Sequence, residues 1–121
     1  MQVSSKKINK NLEKQIEKML IGTLSEIKST ELMNEVLNDL RTKTEKMAVM
    51  KRLGIAIYLD KGRAYEDIKN NLKVSSATIA SVAENMGQPG FGELIRRIKA
   101  EQWAEEWTER ISRNIKRILP S

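Results

Sequence analysis

Apolar side chains return every third or fourth residue along most of this 121-residue chain. That helical period, rather than the two-residue alternation of a strand, is the strongest limit on what it can fold into. Ile8, Leu12, Ile16, Met19 and Leu20 form one stripe, with Lys and Glu on the other faces. Gly22 reads as a helix stop, and Thr23-Leu-Ser-Glu26 has capping-box spacing for the next segment. Leu24, Ile27, Leu32, Val36, Leu37 and Leu40 continue the pattern, with a break expected near Ser29-Thr30. Thr42-Lys-Thr-Glu45 is a second capping box, opening a helix whose marked face is Met47, Met50, Gly54 and Ile57, with Leu53 beside them. Lys61-Gly62 suits its end, a cation in the last turn and a glycine just beyond. A short helix from Ala64 to Asn71 and a second ending at Met86-Gly87 follow, then a long one from about Phe91 to Leu119. Aromatics at 4% leave little from which to build sheets, so the expected class is all-α.

The chain holds no His and no Cys, which removes imidazole and thiolate metal sites, thiol nucleophiles, disulfides and the usual proton shuttle. No catalysis, metal or cofactor is expected. Glu66-Asp67 and Glu105-Glu106 are adjacent acids, and neighbours on a helix point about 100° apart, which makes neither a catalytic couple. Wholly apolar runs are only a few residues long, as at Met19-Leu20-Ile21, far short of a membrane span, and no apolar stretch follows Lys6-Lys7 as in a signal peptide. The expectation is a cytoplasmic protein without a membrane partner.

The stretch from Tyr65 to Met86 carries the functional signal. Ile68 and Leu72 fall on the inner face of a first short helix, Val74 plugs a corner, and Ile79 and Val82 face inward from a second. This is the spacing of a helix–turn–helix unit. The second helix would point Ser76, Ala77, Thr78, Ala80 and Ser81 outward, after Ser75, small enough for its backbone to enter a major groove. Two positions depart from the usual pattern. Lys73 stands where the turn often has Gly, and Lys69 occupies an inner small-residue position, from which its ammonium would snorkel outward toward a phosphate. A packed helical hairpin without DNA contact is the bland alternative.

Leu40-Arg-Thr-Lys-Thr-Glu45, Lys51-Arg52, Gly62, Tyr65-Glu-Asp-Ile68 and Val74-Ser-Ser-Ala-Thr-Ile79 resemble the Trp repressor superfamily. The Ser-Ser-Ala-Thr-Ile run and Gly87-x-x-Gly90-Phe-Gly92 are similar to its YerC-type branch in particular, over about Leu40–Gly92. The resemblance implies an all-helical homodimer whose long flanking helices interleave and present two helix–turn–helix units to palindromic double-stranded DNA. In Trp repressors proper, two Arg residues sandwich the indole of the corepressor. Arg52 matches the first and marks a candidate effector pocket. The second falls on Ser81, where the usual Ala-Thr-Ile-Thr-Arg run reads Ala77-Thr78-Ile79-Ala80-Ser81. A Ser can neither stack on an indole nor pair with a carboxylate as Arg does, which argues against tryptophan and leaves the effector unassigned.

The net charge is +6, unevenly placed: +3 over residues 1–30, +1 over 31–62, zero over 63–90 and +2 over 91–121. From Ser75 to Met86 there is no Lys or Arg, and Glu84 is acidic. Phosphate attraction would have to come from Lys69 and Lys73, from Lys43, Lys46 and Lys51 upstream, or from Lys6, Lys7 and Lys10. Leu94, Ile98, Trp103, Trp107, Ile111, Ile115 and Leu119 make an apolar seam longer than one small core can cover. The two Trp could cage a ligand, but with so few other aromatics they are read as packing an interface. Leu12, Ile16, Leu94, Ile98, Trp103, Trp107 and Ile111 are therefore the expected homodimer contacts. Arg96-Arg97-x-Lys99 and the later basic residues, interspersed with Glu, read as a solvated face.

The expected organisation is one helical domain: residues 1–40 for dimerisation, 41–90 for the helix–turn–helix core and 91–121 for the C-terminal helix. The expected function is sequence-specific transcriptional regulation, most simply repression. Its rival is a protein-interaction adaptor that kept the scaffold and lost its DNA contacts. The operator, the regulated gene and the sign of regulation are not legible in the residues.

Overall fold

The computed structural model describes residues 7–118; within the last helix the side chains at 103, 107–112 and 114–118 lie outside the description. Six helices follow one another, α1 (Lys10–Glu26), α2 (Thr30–Leu40), α3 (Lys43–Asp60), α4 (Tyr65–Leu72), α5 (Ser76–Asn85) and α6 (Pro89–Ile118), with no strand among the described residues. The chain forms two compact units, Met1–Val49 and Met50–Ser121.

In the first unit the Asn9 side chain caps α1, accepting from the amides of Asn11 and Leu12 at 2.8 and 3.3 Å. The expected stop at Gly22 is not used. α1 runs four residues past it to Glu26, and the Thr23–Glu26 box lies inside the helix. A glycine ends a helix when it turns left-handed, and Gly62 is the one described glycine that does. In the middle of a helix a glycine costs only about 1 kcal/mol, which its neighbours absorb. The chain breaks instead at Ile27, which is extended, and Ser29 caps α2 through the Leu32 amide at 3.2 Å. Neither α1 nor α2 contains a buried residue. The Thr42–Glu45 box forms as expected: the Thr42 amide donates to the Glu45 carboxylate at 2.9 Å, and the Glu45 amide donates to the Thr42 hydroxyl at 3.1 Å. That acceptor role holds the Glu45 carboxyl below its usual range.

The second unit has a core of six side chains: Ile55 and Ala56 of α3, Ile68 of α4, Ile79 and Val82 of α5, and Ile95 of α6. Leu53, Ile57, Tyr58, Leu59, Leu72, Val74, Met86 and Phe91 close around it. The face expected for α3 shifts. Met47 and Met50 are exposed, and the helix buries Ile55 and Ala56. From Leu53 to Leu59 this helix is apolar on every side, so its pattern selects no face and packing decides. α3 ends at Gly62 (φ 75°), where the Gly62 amide donates to the Leu59 carbonyl and the Arg63 amide to Tyr58, both at 3.0 Å. These two bonds close a Schellman motif. α6 starts at Pro89, slightly earlier than expected, since a proline at the first helical position has no amide to leave unsatisfied. Leu119 lies outside the described residues.

Candidate nucleic-acid interface

α4 and α5 make the reading head, and a three-residue turn joins them. Lys73 takes the left-handed conformation (φ 55°, ψ 56°) that the missing Gly would have supplied, and it alone among the described non-glycine residues does so. The turn closes because the Lys73 amide still bonds the Lys69 carbonyl at 2.9 Å while Ser75 starts the next helix. The Ser75 hydroxyl accepts from the Thr78 amide at 3.1 Å and lies 2.9 Å from the Thr78 hydroxyl. Ile68 and Ile79 are fully buried and Val82 nearly so. Leu72 and Val74 are half-buried against them, as the spacing predicts.

With the inner face so fixed, the opposite face of α5 is decided. Ser76, Ala77, Thr78, Ala80 and Ser81 are exposed, as is the cap Ser75. No charge stands among them. The result is a low ridge of methyl groups and hydroxyls on a capped helix, able to lie close to base edges and thymine methyls. Lys73 is exposed at the hinge, and Lys69 is half-buried on α4.

The cations expected to flank this ridge divide. Lys43 and Lys46 are exposed on the first turns of α3 and line a hollow of about 260 Å³ with Asn38, Arg41 and Thr42. Lys7 and Lys10 are exposed too, and Lys6 lies outside the described residues. Lys51 is different: its ammonium donates at 3.1 Å to the main-chain carbonyl of Lys73. Sequence reasoning treated it as a free cation and missed this bond, and the signal that pointed to it was the non-glycine residue at the turn. Arg63 is bound to Asp67 at 2.8 Å and lies over the Tyr58 ring at 5.6 Å. Arg96 and Arg97 both hold Glu93, at 2.6 and 2.8 Å. Their hydrogen bonds lower the Glu93 carboxyl to about 2. Lys99 meets Asp60 at 3.2 Å. On α6, then, these cations are partnered within the protein.

Of the residues expected at a dimer contact, Leu12, Ile16 and Leu94 are exposed by 43–50%. Ile98 is half-buried and lines a hollow of about 160 Å³ with Ile57, Ile95 and Asp60. The side chains of Trp103, Trp107 and Ile111 lie outside the described residues. Arg52 is exposed on α3 and lines neither of these hollows. Among the described residues no cluster of acidic side chains is placed to hold a metal ion, and no helix is long and apolar enough to cross a membrane.

Two short helices hinged at a left-handed residue, packed on one core and baring a small-residue ridge, define a helix–turn–helix protein. The comparisons give the family. Residues 15–99 match the family described as Trp repressor protein, and the chain belongs to it. The family is one of helix–turn–helix DNA-binding regulators, and its implied partner is DNA. No curated protein and no solved structure matches the chain.

Proposed function

We propose that this chain is a sequence-specific transcriptional regulator of the YerC-type branch, a repressor that works in the cytoplasm as an interleaved homodimer on palindromic DNA. The observation that carries this reading is the α5 ridge, capped at Ser75 and exposed at Ser76, Ala77, Thr78, Ala80 and Ser81. Lys69 and Lys73 would supply phosphate contacts beside it. The dimer is supported by α1, whose stripe of Leu12, Ile16, Met19 and Leu20 stays 41–62% exposed. An apolar stripe of that length in water favours association. In this reading residues 1–40 and 91–121 join the protomers and residues 41–90 read DNA, together making one functional domain. Arg52 is the effector candidate, and no particular effector is proposed.

Selection from a random duplex library tests the assignment. The expected result is a palindrome whose half-sites lie about 10 base pairs apart, one helical turn. A80E, which puts a carboxylate on the ridge, should abolish the enrichment while leaving the helical signal intact. With few free cations near the ridge, the slope of log Kobs against log salt should be shallower than about −8. Sedimentation at micromolar concentration should return a dimer, and a monomer would refute the interleaved arrangement. One observation favours the adaptor reading instead: the absence of Lys and Arg from Ser75 to Met86. No enriched duplex at low salt, together with a defined protein partner, would establish it.

A further inference from the structure

A left-handed residue that carries a Cβ is disfavoured roughly five- to thirty-fold against ordinary backbone. Lys73 adopts that conformation at the one point where the angle between α4 and α5 is set. Its carbonyl also belongs to the end of α4, where main-chain oxygens run out of helical partners and the helix is negative. Lys51 answers both needs. It lies 22 residues earlier, on α3, and its ammonium reaches the Lys73 carbonyl at 3.1 Å. This bond ties the hinge to the helix that supplies Ile55 and Ala56 to the core.

We propose that Lys51 is a positioning residue: its ammonium holds the Lys73 hinge in the left-handed form, substituting for the glycine the turn lacks, and so sets the pose of α5 instead of neutralising a phosphate. The consequence for DNA rests on the function proposed above. The latch itself is a property of the free protein, so the two can fail separately. Lys73 keeps its own side chain free for the duplex, which a glycine there could not offer. Lys51 and Lys73 thus make a matched pair, one cation spent on geometry so that another stands at the edge of the ridge.

Three variants test this. K51M keeps the stem and removes the donor, K51R keeps a donor, and K73G removes the strain. In the free protein, hydrogen exchange at the Lys73 amide, bonded to the Lys69 carbonyl, and at the Thr78 amide, bonded to the Ser75 hydroxyl, should speed up about tenfold in K51M, the worth of one exposed hydrogen bond from a charged donor. It should stay near wild type in K51R and return toward wild type in K51M/K73G, because glycine takes the left-handed form without penalty. Unchanged hinge exchange in K51M would overturn the proposal. Should K51M lose its helical signal, recovery of that signal in K51M/K73G supports the latch and continued loss overturns it. On a selected duplex, K51M should weaken binding at every salt concentration and leave the salt slope unchanged. A slope reduced by about 0.9, the signature of one lost phosphate contact, would overturn it. If the wild type binds no duplex, the exchange result decides the latch alone and the regulator reading fails by itself.

Discussion

Gly54 measures how closely α3 and α4 approach each other. It is half-buried in the middle of α3, and a Cβ added there would stand 3.1 Å from Leu72 Cδ1 and 3.3 Å from Cδ2. Ordinary carbon contacts lie at about 3.5–4.0 Å. Two effects therefore oppose each other in G54A. Replacing a mid-helix glycine returns about 0.8–1.0 kcal/mol of helix propensity. Pushing the Leu72 methyls back by several tenths of an ångström drives that side chain off its rotamer, at a cost of about 0.5–1.5 kcal/mol. The net change should lie within about 0.5 kcal/mol of zero. L72A removes a half-buried side chain and should cost about 1–2 kcal/mol, less than the roughly 2–5 kcal/mol of a full core truncation. In the double variant the new methyl enters the space Leu72 vacated, the crowding disappears and the propensity gain survives. The double should be more stable than the sum of the singles predicts by about 1 kcal/mol. Urea unfolding followed by far-UV circular dichroism, at one protein concentration and with equal m-values, measures all four corners. Additivity within about 0.3 kcal/mol, or a full 1 kcal/mol stabilisation by G54A alone, would refute the close approach.

Other outcomes follow from the same structure. I79A empties a fully buried position in a core of six residues and should cost about 2–5 kcal/mol, lowering the thermal midpoint by about 10 °C or more. A80S, one residue along on the exposed ridge, should stay within about 0.5 kcal/mol of wild type. T42A removes the side-chain half of the capping box and should destabilise by about 0.5–2 kcal/mol in the same unfolding assay. Glu93 and Glu45 both have lowered carboxyl pKa values in the fold. Their contribution is complete above the unfolded value of about 4.5 and falls away with acid, for Glu93 as pH drops toward about 2. E93Q should flatten the acid limb of stability against pH over that range, and an unchanged limb would show that the Arg96 and Arg97 contacts contribute nothing.

How much of this was legible before any coordinates differs from segment to segment. The Thr42–Glu45 box is a four-residue pattern whose two hydrogen bonds are entirely local, and it forms as read. Ile68, Leu72, Val74, Ile79 and Val82 define the inside of the reading head by spacing alone, because two short amphipathic helices have only one apolar side each to hide. The outward position of Ser76, Ala77, Thr78, Ala80 and Ser81 follows from that by subtraction. Where two signals competed locally, the reading failed. Gly22 and the Thr23–Glu26 box marked a boundary that α1 passes through, since a weak stop yields to a helix already propagating on both sides.

Tertiary structure decided the rest. The apolar stretch Leu53–Leu59 gave no face a preference, and Ile55 and Ala56 became core only because α4, α5 and α6 brought Ile68, Ile79 and Ile95 against them. The role of Lys51 is of the same kind. A cation in a sequence carries a charge but no address, and only the packing of α3 under the hinge brings its ammonium to the Lys73 carbonyl. Residue order determined what depends on neighbours within one helical turn: caps, stripes, and the small side chains of α5. Contacts between residues far apart in the chain depend on how the helices are juxtaposed, and no local pattern encodes that.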